Sequence, residues 1–284
     1  MEKLSLSLPE NTLAQLSAAK ESLETILKEA LTALYLYGSA VQAGLRPSSD
    51  LDLLLVARNP LNAMVRERLT KTLLKLSGPV GDPHLRPLEL TVISAKELCA
   101  ARFPPLNDYQ FGEWLREEFK KGQYPGPRPD PDLTLLLATA RAHAVSLTGP
   151  PAAQLLPVIA RDELTAAIRA SLPVLLQDFK GDERNVLLTL CRMLYTLDTG
   201  KFTSKDRAAV YAERSLPLPL ASLLSEGREH YLGTRPALTP EFTARAPALL
   251  KVLQERLESA LARERTDPYA PWRVNSSFNC GRKR

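Results

Sequence analysis

Five residues in the first third of the chain have the types and spacing to handle phosphate. Asp50 and Asp52 flank Leu51 at the head of an aliphatic run, Leu51 to Val56, that reads as a strand. On a strand, residues i and i+2 share a face roughly 7 Å apart, so the two carboxylates lie side by side while Leu51 and Leu53 turn into a core. Two hard oxygen donors at that spacing suit Mg²⁺, which takes a few carboxylates and keeps places for water and phosphate. One strand earlier, after Tyr35-Leu36-Tyr37, the Gly38-Ser39 pair breaks the extended chain. Such a turn can bring backbone N–H groups and a hydroxyl up to phosphate oxygens. A third acid, Glu89, sits in Leu88-Glu89-Leu90-Thr91-Val92-Ile93, a run too apolar for a carboxylate without a task. Three acids on neighbouring strands facing a Gly-Ser turn form a two-metal phosphoryl-transfer arrangement. Simpler readings stand beside it. Asp-x-Asp at a strand mouth also serves as a solvated edge or an Asx turn, and Glu89 as a solvent-facing residue on an edge strand.

Helices are needed to cover those strands. Asn11 or Thr12 is placed to cap a helix running toward Glu29, with Leu13, Leu16, Leu23, Ile26 and Leu27 near a 3.6-residue period. Asn59-Pro60 is expected to open a second helix reaching Leu76. Tyr109 to Lys120 reads as a helix with aromatic and aliphatic faces, and Asp132 to His143 as another. Those aromatics read as core, with Trp114 the exception held open as a large flat ring able to stack. From Arg161 onward the alternating patterns stop and helices are expected at about 161–177, 183–199, 203–214, 218–232 and 240–264. The expected class is α+β: a mixed-sheet domain over 1–157, an all-α domain over 158–265, and a disordered tail over 266–284.

Bulk composition narrows the partners. Lys and Arg number 37 against 32 acids, a net charge of +5 in 284 residues. Residues 263–284 hold six basic and two acidic residues, so four of those five charges lie in the tail and the body is near neutral. A basic nucleic-acid groove is therefore not expected. Cys99, Cys191 and Cys280 are widely separated and odd in number, and His84, His143 and His230 share no ligand spacing. That argues against structural zinc and for reduced thiols in a cytoplasmic protein. No basic-then-apolar leader opens the chain, and no run approaches the ~20 apolar residues of a membrane helix.

The same residues carry a family resemblance. Gly38-Ser39, Asp50-x-Asp52 and a later strand acid resemble the nucleotidyltransferase superfamily that includes DNA polymerase β. More narrowly, Leu36-Tyr37-Gly38-Ser39-Ala40-Val41, Gly44-Leu45-Arg46-Pro47 and Ser49-Asp50-Leu51-Asp52-Leu53-Leu54 look like aminoglycoside adenylyltransferases acting on streptomycin and spectinomycin. Gln110-Phe111-Gly112-Glu113-Trp114-Leu115-Arg116 and Gly181-Asp182-Glu183-Arg184-Asn185-Val186 extend the likeness, which is collinear over roughly residues 30 to 235.

The resemblance implies a polymerase-β-like nucleotidyltransferase domain, followed by a helical-bundle domain that completes an ATP and drug cleft. It implies transfer of AMP from ATP to the 9-hydroxyl of spectinomycin, with the 3''-hydroxyl of streptomycin as a second acceptor and pyrophosphate released. Asp50, Asp52 and Glu89 would hold two Mg²⁺ ions, and Glu89 would also take the proton of the attacking hydroxyl. Gly38, Ser39 and Ser49 would cradle ATP; Arg192 and Lys205 would meet its phosphates, and Tyr231 its adenine. Glu89, Trp114, Asp178, Asp182 and Asn185 would line the drug site. The plainer reading of Asp182-Glu183 is an acidic helix start, and of Arg192 and Lys205 solvated helix charges. One departure concerns specificity. Family members that accept both drugs carry a Trp and an Asp before Gly-Asp-Glu; this chain keeps Asp178 but has Pro173 at the Trp position. Spectinomycin, small and rigid, is the expected substrate, and streptomycin stays open. The expected partners are ATP and an aminocyclitol, with no nucleic acid or membrane, and the expected state is a monomer. A related nucleotidyltransferase acting on RNA or a protein side chain is the competing reading, and a nucleotide-binding module without activity is a third.

Overall fold

Two sequence textures become two compact units in the computed structural model, which describes residues 8–42, 44–100 and 102–263; the units divide between Ile159 and Ala160. The tail expected to be disordered, 266–284, lies outside the described residues. The N-terminal unit runs α1 (Glu10–Leu27), β1 (Leu31–Tyr37), α2 (Ser39–Gln42), β2 (Leu51–Ala57), α3 (Ala63–Leu76), β3 (Leu88–Ser94) and α4 (Ala95–Ala100). It continues with β4 (Leu106–Asn107), β5 (Tyr109–Phe111), α5 (Arg116–Lys120), β6 (Arg128–Pro129), α6 (Asp132–His143), β7 (Val145–Thr148) and α7 (Ala152–Leu155). Five of its strands form one mixed sheet in the order β5-β3-β2-β1-β7, in which β2 and β3 are parallel and the other neighbours antiparallel.

Period-two alternation gives this sheet two apolar faces. Leu34, Leu36, Leu51, Leu53, Leu55, Leu90 and Val92 pack beneath α1 and α3, against Leu16, Leu23, Leu69 and Leu73. Ala33, Tyr35, Leu54, Val56 and Ile93 face the other way, toward Leu133, Leu137 and Ala140 of α6 and Ala152 and Leu155 of α7. With both faces covered, the strands are nearly continuous apolar runs, and the polar residues at their ends stand out.

Three local expectations are corrected. Residues 109–111 are a strand, not the start of a helix: Tyr109 and Phe111 alternate into the core while Gln110 points to the opposite face, and pairing with β3 satisfies their backbone. Spacing of aromatics alone does not separate period two from period 3.6 over three residues. The helix expected from Asn59-Pro60 begins at Ala63, because Asn62 is the residue whose side chain accepts from Val65 N–H at 2.9 Å and caps it. The first helix starts at Glu10, behind Pro9, and Asn11 Oδ1 instead accepts from the neighbouring Thr12 N–H. Of the cysteines, Cys191 is buried and free.

The C-terminal unit holds α8 (Arg161–Gln177), α9 (Glu183–Thr199), α10 (Lys205–Glu213), α11 (Leu218–Leu232) and α12 (Pro240–Arg263). Buried Val186, Leu187, Leu190, Leu194 and Leu197 make α9 the central helix, against which the other four pack. Gly200 ends it at φ 68°, donating its N–H to Thr196 C=O at 2.8 Å. Among the described residues no helix is long and apolar enough to cross a membrane.

Because Phe111 is fully buried and stacked on Phe119, 5.2 Å between ring centroids, Phe111→Ala should destabilise the N-terminal unit by about 3–5 kcal/mol, read by urea denaturation.

Candidate active site

Strand register gathers the polar ends. Tyr37 of β1 is the Cα partner of Asp52 on β2, and Asp52 is the partner of Glu89 on β3. Three residues on three adjacent strands therefore stand in one row, with neighbours about 4.8 Å apart from strand to strand. All three have the parity of the face covered by α6. The leucines beside them, Leu36, Leu51, Leu53, Leu88 and Leu90, are sunk in the opposite core and cannot turn without unpacking it.

Gly38 sits at φ 70°, a backbone conformation that favours glycine, and a Cβ there would overlap the Asp52 carboxylate. The aspartate thus lies directly against the turn. Ser39 follows as the first residue of the one-turn α2, whose Val41 and Gln42 N–H groups both donate to Gly38 C=O at 3.3 Å. Ser49 is buried; its Oγ accepts from Arg46 N–H at 2.9 Å, closing the turn before β2. Arg86 braces that turn by donating to the carbonyls of Arg46 and Ser49, at 2.9 and 3.0 Å.

Glu89 accepts from Gln110 Nε2 at 3.1 Å. Burial pushes its carboxyl well above the usual carboxylate range, and the negative charges of Asp52, Asp50 and Asp132 push it further, against the pull of the Gln110 hydrogen bond. The same crowding acts on Tyr37. Burial raises its phenol first, then Glu89, Asp52 and Asp132, with Thr91 the hydrogen-bond partner that works the other way. Tyr37 therefore stays protonated. The expected trio of Asp50, Asp52 and Glu89 is brought together, so the readings of a solvated strand edge and a separate surface acid do not describe it. Tyr37, Gln110 and Asp132 join it unforeseen. Asp132 carries the least signal in the sequence: it is the first residue of α6, where an acid is favourable for the helix alone.

Trp114 is 57% exposed, on a short 3₁₀ turn, and its ring lies over Gly112 where any Cβ would strike it. An exposed ring backed by bare backbone is free to meet a ligand's apolar face.

In the C-terminal unit, Lys205 is the first residue of α10, and its Nζ lies 5.9 Å from the centroid of the Tyr231 ring. Asp182 precedes α9, yet its side chain makes no capping bond to that helix; it accepts from Asn185 Nδ2 at 2.7 Å. Its carboxyl is raised, chiefly by partial desolvation even though the side chain reaches solvent; Asn185, Lys205 and Arg184 oppose the rise and Asp178 adds to it. Asp178, Asp182, Asn185, Lys205 and Tyr231 thus share one neighbourhood. Arg192, half-buried on α9, has no hydrogen bond or ion pair to that group among the described residues.

Residues 154–255 match a sequence family described as aminoglycoside adenylyltransferase, C-terminal domain. A spectinomycin 9-adenylyltransferase of Campylobacter jejuni is 44% identical over 241 residues, 85% of this chain and 93% of that one. The chain belongs to the aminoglycoside adenylyltransferases. A further member, the aminoglycoside (3'') (9) adenylyltransferase of Klebsiella pneumoniae, is 38% identical over 77% of this chain and 85% of its own length. The crystal structure of the spectinomycin adenyltransferase of Enterococcus faecalis with ATP and spectinomycin matches with a TM-score of 0.82 at 34% identity, over 87% of this chain and 99% of that one. The architecture is accordingly that of an aminoglycoside adenylyltransferase: a nucleotidyltransferase fold with a C-terminal helical domain.

Gly38→Ala tests the contact between turn and acid. It should leave the fold intact by circular dichroism and lower adenylyl transfer at least about 100-fold, since an ångström of misplacement at a reacting centre costs that much.

Proposed function

We propose that this protein transfers the adenylyl group of ATP to the 9-hydroxyl of spectinomycin and releases pyrophosphate, conferring resistance to the drug. The observation that carries the reading is the in-register row of Asp52 and Glu89 against Gly38, in a chain 44% identical to a spectinomycin 9-adenylyltransferase. The drug's hydroxyl oxygen forms a bond to the α-phosphorus as the bond to the β-phosphate bridging oxygen breaks, and Glu89 accepts the hydroxyl proton. Use of ATP suits a cytoplasmic enzyme, and a single copy of the chain supplies every residue assigned a role.

The donor set fits Mg²⁺. Among the described residues no three His, Cys, Asp or Glu side chains stand ready-made around a metal, but Mg²⁺ is commonly held by one or two carboxylates with substrate phosphates completing its shell. Asp50 and Asp52, with Glu89 beside them, are the residues that would hold two such ions. Such ions would supply positive charge against the triphosphate and would offset the burial and the aspartate charges that raise the Glu89 carboxyl. Ser39 and Ser49 orient phosphate oxygens with the backbone at Gly38. Arg192 and Lys205 offset charge on the departing pyrophosphate, and Tyr231 meets the adenine. Trp114 stacks on the aminocyclitol, while Asp178, Asp182 and Asn185 take its ammonium and hydroxyl groups.

Two outcomes test this. Glu89→Gln and Asp52→Asn should each lower spectinomycin-dependent pyrophosphate release at least about 100-fold in purified enzyme. Cells expressing the protein should tolerate spectinomycin but gain little against streptomycin. Pro173, inside α8, offers no flat ring to the larger drug, and Pro173→Trp should raise streptomycin tolerance, read as minimal inhibitory concentration.

A further inference from the structure

Behind Glu89 lies a chain of buried amides that the reaction as described does not use. Gln110 Nε2 donates to Glu89 Oε1 at 3.1 Å, and Gln110 Oε1 accepts from Asn107 Nδ2 at 2.7 Å and from Thr91 Oγ1 at 3.1 Å. Asn107 Nδ2 also donates to Asp130 Oδ2 at 3.0 Å, and Asp130 Oδ1 accepts from the N–H of Asp132, the first residue of α6. Asn107, Thr91 and Gln110 are all buried, at 2%, 1% and 7% exposure.

We propose that Gln110 is a positioning residue for Glu89, and that Asn107 and Asp130 fix the direction in which it donates. The inference rests on the reading of Glu89 as the proton acceptor. A primary amide is a donor at one atom and an acceptor at the other, whereas an ionised carboxylate only accepts. Asp130, held by the N–H at the head of α6, therefore turns the Asn107 nitrogen toward itself. The second hydrogen of that nitrogen goes to Gln110 Oε1, and the Gln110 nitrogen is left facing Glu89. Turning both amides round would set Asn107 Oδ1 against Asp130 Oδ2 and, with Glu89 ionised as a proton acceptor must be, Gln110 Oε1 against its carboxylate, acceptor against acceptor at each end.

The orientation carries a cost. Asn107 Oδ1 is buried and has no hydrogen-bond partner among the described residues, which destabilises by roughly 1–3 kcal/mol. An amide kept in the orientation that strands its own oxygen is one whose nitrogen is needed where it is. The effect on Glu89 is geometric: Oε1 is pinned to the sheet, and Oε2 is the oxygen available to the attacking hydroxyl. An unpinned glutamate has three rotatable bonds over which to lose that alignment.

The test is steady-state kinetics of the full chain with ATP, Mg²⁺ and spectinomycin, beside thermal melting. Gln110→Met keeps side-chain length and removes the donor. Asn107→Asp sets a carboxylate against Asp130, and should lower both Tm and kcat. Adding Asp130→Asn restores a hydrogen bond between positions 107 and 130 but leaves an acceptor facing Gln110, so its amide still turns its oxygen to Glu89. The expected result is a kcat lowered about 10- to 100-fold in Gln110→Met and in the Asn107→Asp/Asp130→Asn pair, with KM for both substrates within about threefold and the pair's Tm within about 2 °C of the parent. Recovery of kcat along with Tm in the pair would show packing alone and overturn the proposal, as would a folded Gln110→Met with parental kcat. If Gln110→Met does not fold, the pair decides. Glu89→Gln separates the two levels of inference. Parental kcat in Glu89→Gln overturns the reading of Glu89 and this proposal with it; inactive Glu89→Gln beside unimpaired Gln110→Met overturns the positioning role alone.

Discussion

Like charge held at short range is the constraint on which this molecule depends. Asp50, Asp52 and Asp132 all act on Glu89, and burial compounds their effect. Left to itself such a cluster would spread apart or protonate, because each carboxylate disfavours ionisation of the next. The scaffold prevents spreading. Each acid borders residues committed to a core that tolerates no rotation: Leu51 and Leu53 flank Asp52, and Leu88 and Leu90 flank Glu89, all at most 1% exposed. Stress that the backbone cannot release appears instead as a raised carboxyl at Glu89 and a phenol at Tyr37 that does not ionise. A site in that condition gains by taking up positive charge, as a magnesium–nucleotide substrate would bring.

The parallel pairing of β2 with β3 is the detail that matters most. A parallel ladder has a fixed stagger, and with Leu51 opposite Leu88, Asp52 can face only Glu89. A one-residue slip would move both apolar sets to the wrong faces and separate the acids as well. The packing that stabilises the sheet and the register that builds the site are the same requirement. Gly38 adds a second: the turn after β1 must come close enough for the Asp52 carboxylate to rest on bare backbone.

A second polar layer reaches from Asp130, at the head of α6, through Asn107 and Gln110 to Glu89. It crosses from β4 to β5 to β3, so the edge of the sheet is locked by side chains where its backbone pairing is short. The C-terminal unit has its own gathering of charge and ring around Lys205, Tyr231 and Asp182. There the acid before α9 is turned from helix capping toward Asn185.

Much of this was legible in the residues alone. Aliphatic runs carrying acid at or near their heads located β2 and β3, and the loss of alternating patterns from Arg161 onward located the C-terminal helices, because burial dictates residue type wherever a face must be apolar. The Asp50, Asp52 and Glu89 trio was readable since a carboxylate in an apolar strand has few alternative employments. Local pattern could not supply what depends on distant partners. Whether 109–111 is strand or helix was decided by the exposed edge of β3 needing hydrogen bonds. Asp132 reached Glu89 only because α6 lies across that face of the sheet. Gln110 and Asn107 read as ordinary polar residues until the fold set a carboxyl group at either end of them. Composition and period determined which segments form and which faces are buried; tertiary structure alone decided which polar groups meet, because a hydrogen bond or a repulsion depends on a few ångströms of separation that no sequence interval encodes.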